Sequence, residues 1–436
     1  MAKVVVTGGG TGGHVYPGLA VAEVLRRNYD VEILWIGSAH GLEARLVRES
    51  GIAFASVPAG KLRRYFSTRN LLDVFSVVAG FFRAIALLGS YRPDFVFSKG
   101  GYVSVPPVVA AWFLGIPVAT HESDLVPGLA TRLNAPFCTT VFLPYDQTAR
   151  RFTTAPGRLF GAVIKVLAVF RRRRRRGAQP LHRRNTGGLR TRVVVSGNPV
   201  RLDLAEGDAE AGRRLAGADP DDLVVLVLGG SQGAEQINTA VADIIEELCR
   251  AAVIVHQHGR GKASHGGRVK LLSAGEGKLL SAGEGKLLSA APRERSGTTG
   301  ALNPTFARRY RPMEYIGAEY PDLLAVADLV ISRAGAGTLW EIASAGKASI
   351  LVPLVSGSRG DQVGNAELFA RAGASVVLNG ERVDSASLLD RARRLLADEE
   401  LRRRMGAAAA GFTHGNAAFT IADHIAKSLE DPCPLG

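Results

Sequence analysis

Three glycine-rich turns contain the residues best suited to bind phosphate groups. The first, residues 8–14, reads GGGTGGH after a run of three valines; the second and third are residues 98–104 and 229–234. Glycine has no Cβ atom, so backbone N–H groups can approach an anion closely, and the positive end of a following helix adds to the attraction. Because the turns are spread over both halves of the chain, we expect two phosphorylated ligands to meet, as in group transfer.

The first turn also has the spacing of a dinucleotide-binding fingerprint. Gly8, Gly10 and Gly13 satisfy G-x-G-x-x-G, which alone is a weak signal. A nicotinamide site needs an acidic residue about 20 positions later, at the end of the second strand, to hold the ribose. Here the predicted strand ends in Ile36-Gly37-Ser38, without a carboxylate. The sequence therefore disfavours a nicotinamide cofactor.

Short apolar runs alternate with segments of helical spacing, such as 18–27 and 42–50, and this predicts parallel sheets covered by helices. In the first half, the runs are residues 4–7, 31–37, 95–98 and 118–121. The alternation restarts at residues 224–228, 253–257, 329–332 and 349–353. The predicted fold class is α/β, with two doubly wound halves joined near 196–199. Ligands of such sheets bind beyond the carboxyl ends of the strands, so a cleft between the halves is expected.

Composition narrows the class of protein further. The chain has 436 residues, 46% of them hydrophobic, which is enough for two globular cores. Its three cysteines, Cys138, Cys249 and Cys433, are scattered and predict neither a disulfide framework nor a zinc site. The apolar run near the N-terminus is too short for a secretory signal, so a cytoplasmic, reducing environment is expected. A net charge of +14 favours an acidic partner, such as nucleic acid, an anionic membrane or a phosphorylated substrate.

Two stretches interrupt the alternation of strands and helices. Residues 150–192 are rich in arginine, with six in a row at 171–176, and this run is interpreted as a solvated loop or an anionic surface contact. A nucleic-acid-binding function would rest on that run alone and is not expected. The octad KLLSAGEG at 270–277 recurs at 278–285 and begins again at 286. Its two glycines per unit weaken a helix, so it is interpreted as a duplicated loop without a site.

A set of motifs runs in order from residue 4 to about 375. They are Gly9-Gly10-Thr11-Gly12-Gly13-His14, Gly100-Gly101-Tyr102-Val103-Ser104, His121-Glu122, Gly197-Asn198-Pro199-Val200-Arg201, Gly229-Gly230-Ser231-Gln232-Gly233-Ala234, Ser332-Arg333-Ala334-Gly335-Ala336 with Thr338 and Glu341, and Gln362 with Asn365-Ala366. Together they resemble the MurG family, the peptidoglycan N-acetylglucosaminyltransferases. The resemblance implies inverting transfer of N-acetylglucosamine from UDP-N-acetylglucosamine to the muramoyl-peptide of lipid I, forming lipid II. Other enzymes of the same architecture, a glycolipid glycosyltransferase or a UDP-sugar 2-epimerase, are the alternatives.

The resemblance also implies a GT-B architecture of two Rossmann-like domains facing a cleft. Residues 1–197 would form the acceptor- and membrane-facing domain, with the Arg-rich insertion at about 150–192. Residues 198–416 would bind the UDP-sugar and carry the octad-repeat loop at about 268–300. A helix at about 417–430 would cross back to the first domain.

Residue roles follow from the same resemblance. Thr11, Gly12 and Gly13 would approach the sugar and diphosphate of the donor, while Arg201 and Ser231 would help to neutralise the diphosphate. Ile316, at the end of a strand-like run 314–316, would meet uracil through its backbone, Glu341 would bond the ribose, and Gln362 the sugar. The helix after Gly335 would present Ala336, Gly337, Thr338 and Leu339 to the donor, and Gly100, Gly101 and Tyr102 would form an acceptor loop.

The acceptor hydroxyl must lose a proton when it attacks the anomeric carbon. His14, beside the first turn, is the predicted general base, although it could instead only bond substrate or fix the loop. Glu122 is the rival base, with a structural role as its alternative. Asp124 stands where the family usually has Asn, and as a carboxylate it cannot donate a hydrogen bond to the donor sugar. No D-x-D motif stands near the cleft-facing loops, so neither a metal nor a cofactor is expected.

The most apolar stretch, residues 71–88, reaches the lower length limit for a membrane span. Asp73 and Arg83 interrupt it and disfavour a span, leaving a core helix or an interfacial helix. Phe75, Val78, Phe82 and Ile85 recur at helical spacing, and basic residues precede them, which suits contact with anionic headgroups. Because the implied acceptor is lipid-linked, we expect a peripheral protein on the cytoplasmic face of the inner membrane.

Overall fold

A computed structural model gives the fold, and its description covers residues 1–39, 41–60, 68–152, 191–230, 233–259, 306, 308–355, 361–380, 383–413 and 415–430, with the backbone alone for 68–74 and 151. Most of the Arg-rich insertion lies outside the described residues, as do the octad repeats and the predicted diphosphate ligand Ser231. The described chain forms two parallel sheets, so the predicted α/β class is confirmed.

The first sheet has seven described strands in the order β3-β2-β1-β4-β5-β6-β7. In chain order they are β1 (Ala2–Gly8), β2 (Val31–Gly37), β3 (Ala53–Ser56), β4 (Phe95–Gly100), β5 (Val118–His121), β6 (Thr140–Leu143) and β7 (Arg192–Val195). The helices between them are α1 (Gly12–Asn28), α2 (Leu42–Glu49), α3 (Thr68–Tyr91), α4 (Val105–Leu114), α5 (Leu129–Asn134) and α6 (Asp146–Arg151). Short 3₁₀ turns cover Tyr102–Ser104 and Ala135–Phe137.

Helices cover both faces of this sheet, and the valines of β1 illustrate why its strands are continuously apolar. Val4 and Val6 pack into one hydrophobic cluster with α1, whereas Val5 packs into another cluster on the opposite face. Successive side chains of a strand point to opposite faces, so a strand covered on both sides must be apolar at every position. Helix α1 begins at Gly12, six residues before the predicted helical segment 18–27. The helix therefore starts directly at the glycine turn.

The second sheet has six described strands in the order β10-β9-β8-β11-β12-β13, all parallel. They are β8 (Val224–Leu228), β9 (Val253–Gln257), β10 (Tyr310–Met313), β11 (Leu329–Ser332), β12 (Ser349–Leu351) and β13 (Ser375–Val377). A 3₁₀ turn, Leu202–Glu206, precedes the helices α7 (Ala209–Ala216), α8 (Glu235–Asp243), α9 (Ile245–Ala251), α10 (Tyr320–Val326), α11 (Ala336–Ser344), α12 (Asp361–Arg371), α13 (Ser385–Ala397) and α14 (Glu399–Ala410).

The last described helix, α15 (Ala417–Glu430), follows the second sheet in sequence but packs on the first. Its fully buried Ala418, Ile421, Ala422 and Ile425 share a hydrophobic cluster with β1 and α1. Their spacing of three and four residues places them on one face of the helix. The Thr140 hydroxyl and the His424 Nε2 atom, 3.1 Å apart, form a hydrogen bond between β6 and this helix. The end of the chain therefore ties the two sheets together.

Helix α3 has one buried and one exposed apolar face. Ala84 and Leu88 are buried in a cluster with α4, while Phe75 and Phe82 are 66% and 64% exposed and Val78 also faces outward. The prediction of one face over Phe75, Val78, Phe82 and Ile85 is wrong for Ile85, which packs against the buried cluster because it lies next to Ala84 on the inner side of the helix. No helix within the described ranges is long and apolar enough to cross a membrane.

Candidate functional site

The first glycine turn connects β1 to α1, and the buried carboxylate of Glu43 forms a hydrogen bond with it. Gly10 adopts a φ of +91°, which favours glycine. Its N–H donates to Glu43 Oε2 at 3.2 Å, and Glu43 Oε1 accepts a bond from the Ser38 N–H at 3.1 Å. Thr11 precedes α1 as its N-cap, but no side chain caps the first turn of the helix. The N–H groups of Gly12 and Gly13 therefore lie at an uncapped helix end.

The second turn, Gly100–Tyr102, lies directly against the first. Gly101 has a φ of +78°, and a Cβ atom on it would collide with the Gly9 carbonyl oxygen. A Cβ atom on Gly100 would lie 3.6 Å from the His14 ring. His14 Nδ1 and the Thr11 hydroxyl, 2.7 Å apart, form a hydrogen bond. The structure thus brings the predicted base together with the predicted acceptor loop.

A tyrosine cluster closes one side of the cleft between the sheets. The hydroxyls of Tyr16 in α1 and Tyr315, which follows β10, are 2.7 Å apart and form a hydrogen bond. The Arg201 guanidinium lies 5.6 Å from the ring centres of both Tyr16 and Tyr320. Its Nε donates to Asp203 at 3.0 Å. Arg201 is therefore placed where the two halves meet, as a diphosphate ligand would need to be.

Glu341 lies near this cluster and contacts it through Tyr320. The Tyr320 hydroxyl donates to Glu341 Oε2 at 3.0 Å. Burial raises the pKa of Glu341 to about 7, although Arg201 and the bond from Tyr320 favour its charged form. The carboxyl group that the resemblance assigns to the ribose is thus partly buried and accepts a hydrogen bond from Tyr320.

Helix α11 offers a second uncapped N-terminus, this time from the second sheet. No side chain caps it, and a Cβ atom on Gly335 or Gly337 would meet nothing within 4 Å. Ala336 and Leu339 are buried, whereas Gly337 and Thr338 are partly exposed. Open space at a helix N-terminus suits an anion such as a diphosphate.

Two residues predicted to bind the UDP-sugar already form hydrogen bonds within the protein. The predicted strand at 314–316 is wrong, because β10 ends at Met313 and Ile316 lies in the following loop. The Ile316 N–H donates to the side-chain oxygen of Gln257 at 3.2 Å. Gln362 Oε1 accepts a bond from the Leu354 N–H at 2.9 Å. Both residues are ordered by neighbours that the sequence did not single out.

The loop after β5 contains Glu122 and Asp124. Glu122 is buried and accepts bonds from the N–H groups of Ser123, Asp124 and Gly128 at 2.7 to 3.1 Å. These three bonds match the structural alternative for Glu122, with the carboxylate organising its own loop. Asp124 Oδ1 accepts a bond from Asn365 Nδ2 at 3.0 Å, so this side chain links the loop to α12.

Several residues at this site were not predicted from the sequence: Tyr16, Glu43, Lys99, Tyr315 and Tyr320. A charged residue inside an apolar run was a usable signal for Lys99, because the strand reads Phe-Val-Phe-Ser-Lys. The tyrosines gave no local signal, since their partners are distant in sequence. Among the described residues, no group of three or more His, Cys, Asp or Glu could hold a metal ion.

Comparison with known proteins agrees with this architecture. Residues 4–143 match the glycosyltransferase family 28 N-terminal domain, and residues 224–275 and 285–423 match the glycosyltransferase family 28 C-terminal domain. Among solved structures, Acinetobacter baumannii MurG covers 98% of this chain and 100% of its own, with a TM-score of 0.62 and 22% identity. The UDP-GlcNAc 2-epimerase of Neisseria meningitidis covers 98% and 100%, with a TM-score of 0.56 and 12% identity. Both likenesses concern the fold alone.

Curated relatives are more similar in sequence. The enzyme of Treponema denticola named UDP-N-acetylglucosamine--N-acetylmuramyl-(pentapeptide) pyrophosphoryl-undecaprenol N-acetylglucosamine transferase is 40% identical over 98% of this chain and 97% of its own. The Clostridium perfringens enzyme of the same name is 34% identical over 89% and 88%. The chain therefore belongs to glycosyltransferase family 28 and, within it, to the MurG family of N-acetylglucosaminyltransferases.

Proposed function

We propose that this protein transfers N-acetylglucosamine from UDP-N-acetylglucosamine to the muramoyl-peptide of lipid I, forming lipid II with inversion at the anomeric carbon. The observation that carries the proposal is similarity over nearly the whole chain to enzymes of that name. The cleft supports it, because two uncapped helix ends, one from each sheet, border it near Arg201. Residues 1–197 act as the acceptor domain, and residues 198–416 as the donor domain.

The donor binds mainly to the second domain. Its diphosphate lies against the N-terminus of α11, where Ala336, Gly337, Thr338 and Leu339 supply the first turn, with Arg201 and Ser231 as further ligands. Negative charge grows on the diphosphate as UDP leaves, and oriented N–H groups and a guanidinium stabilise it without rearranging. The transfer step therefore needs no metal ion.

The uridine and the sugar bind to residues around α11. Glu341 accepts hydrogen bonds from the ribose hydroxyls, and Gln362 bonds the sugar. Uracil takes the Ile316 N–H, which requires the Gln257 side chain to give up its present bond of 3.2 Å. Asp124 contacts the sugar as an acceptor only, because a carboxylate has no proton to donate.

The acceptor enters from the first domain. Thr11, Gly12 and Gly13 approach the donor from that side, and Gly100, Gly101 and Tyr102 line the path of the acceptor. His14 takes the proton of the attacking hydroxyl, and its bond to Thr11 orients the ring. Glu122 has a structural role, because its carboxylate already accepts three backbone bonds.

The protein reaches its acceptor as a peripheral protein on the cytoplasmic leaflet. The exposed side chains of Phe75, Val78 and Phe82 form an apolar face on α3, and the net charge of +14 favours anionic headgroups. Co-sedimentation with anionic vesicles tests this face. Phe82→Asp should lower the bound fraction, whereas Phe419→Asp, at an exposed phenylalanine on α15, should not. Binding that ignores both salt and Phe82→Asp would contradict the proposal.

The deciding experiment is transfer of labelled N-acetylglucosamine from UDP to a lipid-linked muramoyl-peptide. The expected product is a disaccharide on the lipid, formed only when both substrates are present. Release of a sugar epimer from UDP-N-acetylglucosamine alone would instead identify a 2-epimerase, and transfer only to another glycolipid would identify a different glycosyltransferase.

A further inference from the structure

A buried lysine lies directly beneath the acceptor loop. Lys99 is the residue before Gly100 in β4 and is 1% exposed. Its ammonium donates to the Ser123 hydroxyl at 2.6 Å. Burial lowers the pKa of Lys99 to about 8, while the charges of Glu122 and Asp124 act in the opposite direction. A cation is seldom buried without a compensating charge, so these carboxylates account for its presence.

From Ser123, the contacts continue to the link between the two domains. The Ser123 hydroxyl donates to Asn198 Oδ1 at 2.9 Å. His121 Nε2 lies 2.9 Å from the Gly197 carbonyl oxygen, and burial lowers the pKa of this histidine, so the neutral ring donates to that carbonyl. The linker held in this way leads to Arg201, three residues after Asn198. Lys99 is thus connected to the chain segment that places the guanidinium in the cleft.

The same loop also contacts the donor domain directly. Asn365 in α12 accepts a bond from the Leu125 N–H and donates one to Asp124 Oδ1, both at 3.0 Å. Gln362 lies one helical turn before Asn365. Burial and the neighbouring Glu122 raise the pKa of Asp124 to about 6, whereas Lys99 and the bond from Asn365 favour its charged form. Asp124 is therefore a partly buried carboxylate whose charge Lys99 helps to balance.

We propose that Lys99 is a positioning residue, whose buried ammonium holds the Ser123–Asn198 and Asp124–Asn365 contacts so that acceptor loop and donor helix keep one relative position. The role rests on the transferase function proposed above. Without the ammonium, the negative charges of Glu122 and Asp124 repel each other without compensation, and the loop between the domains shifts. A displacement of reacting groups by about 1 Å can lower the rate about 100-fold.

A double-mutant cycle tests the pairing. Lys99→Met should lower kcat by about ten- to a hundredfold, with a much smaller change in the affinity for UDP, whose contacts lie mainly in the donor domain. Asp124→Asn should raise kcat about tenfold in the Lys99→Met background, because a neutral amide keeps the bond from Asn365 without the unbalanced charge. In the native background, Asp124→Asn leaves the Lys99 ammonium without this carboxylate and should lower kcat, and any change in the sugar contact of residue 124 is common to both backgrounds. An equal effect in both backgrounds would overturn the proposal.

A second readout separates this proposal from the proposed function. Spin labels at Ala53→Cys and Ala397→Cys, both exposed and on different domains, report the distance between the domains in a Cys433→Ser background. Lys99→Met should broaden the distance distribution, and adding Asp124→Asn should narrow it again. If the native chain transfers no sugar but the distances behave in this way, the transferase function fails while the positioning role of Lys99 stands. Unchanged distances in all variants would overturn that positioning role.

A milder variant keeps the test possible if Lys99→Met does not fold. Lys99→Gln keeps a hydrogen-bond donor near Ser123 but removes the charge, so it should show the same rescue by Asp124→Asn. Measurements are made well below the unfolding midpoint of each variant. A lower midpoint with unchanged kcat and unchanged distances would mean that Lys99 only stabilises the fold, and this would refute the positioning role.

Discussion

The buried carboxylate of Glu43 provides a direct test of how the first glycine turn is held. Glu43 is fully buried in α2 and accepts bonds from the Gly10 N–H at 3.2 Å and from the N–H and hydroxyl groups of Ser38. Glu43→Gln keeps one acceptor oxygen, which can still serve Ser38. Its amide NH₂ group then faces the Gly10 N–H, so a donor meets a donor.

The expected loss can be worked out from these contacts. A hydrogen bond to a charged group contributes about 1.5–3 kcal/mol, whereas the cost of an unpaired donor is small because Gly10 is exposed and its N–H can bond to water. We therefore expect Glu43→Gln to lower the free energy of unfolding by about 2 kcal/mol, and the thermal midpoint by roughly 4–8 °C. The turn carries Thr11 and His14, so kcat should fall about tenfold or more as their positions relax.

Thermal unfolding and steady-state transfer are the assays, with Glu49→Gln as the matched control. Glu49 ends the same helix and forms a surface ion pair with Arg45 at 3.7 Å, so its loss should cost about 0.5 kcal/mol or less. Equal midpoints for Glu43→Gln and Glu49→Gln would refute the reasoning. An altered midpoint with native kcat would show that Glu43 supports the fold but not the turn.

Four further predictions concern other parts of the molecule. His14→Ala should lower kcat about a hundred- to ten-thousandfold with UDP affinity retained, and near-normal turnover would exclude it as the base. Ile421→Ala, in the buried face of α15, should cost about 2–5 kcal/mol of unfolding free energy, whereas Phe419→Ala, at a side chain 48% exposed, should cost far less. Because the pKa of Glu341 is raised from 4.5 to about 7 in the native state, this carboxyl group ionises at a lower pH in the unfolded chain. The free energy of unfolding relative to Glu341→Gln should therefore fall by up to about 3 kcal/mol as pH rises from 4.5 to 7, and stay constant above pH 7. A difference in thermal midpoint that does not change with pH would contradict this. Turnover should persist in EDTA, and strict dependence on magnesium or manganese would contradict a metal-free transfer step.

Much of the fold was predictable because its signals are local. The valines of β1 must be apolar at every position when helices cover both faces, and this pattern repeats in both halves. The start of α1 was harder to predict, because glycines at residues 12 and 13 weaken a helix in isolation. In the protein, α1 packs on the first sheet and its apolar residues are buried, which outweighs that weakness. The same limit explains Ile316, where the pattern predicted a strand but β10 ends at Met313.

The sequence motifs identified residues of the predicted site but not the contacts that hold them. The glycine turns and His14 could be selected by residue type, and the structure places His14 beside Gly100. In contrast, nothing in the sequence indicated that Glu43 holds the first turn or that Gln257 bonds the Ile316 N–H. Such bonds depend on which buried groups meet after packing.

The sequence by itself determined the two parallel-sheet halves and indicated group transfer between phosphorylated ligands, because hydrophobic period and turn chemistry are properties of neighbouring residues; the family came from the resemblance of its motifs. Only the tertiary structure decided how the halves meet. Tyr16 bonds Tyr315, 299 positions away, and Asp124 bonds Asn365, 241 positions away. The net free energy of each such contact is small, because a hydrogen bond within the protein replaces hydrogen bonds to water. The contact therefore forms only where the packed cores of both domains bring its partners together.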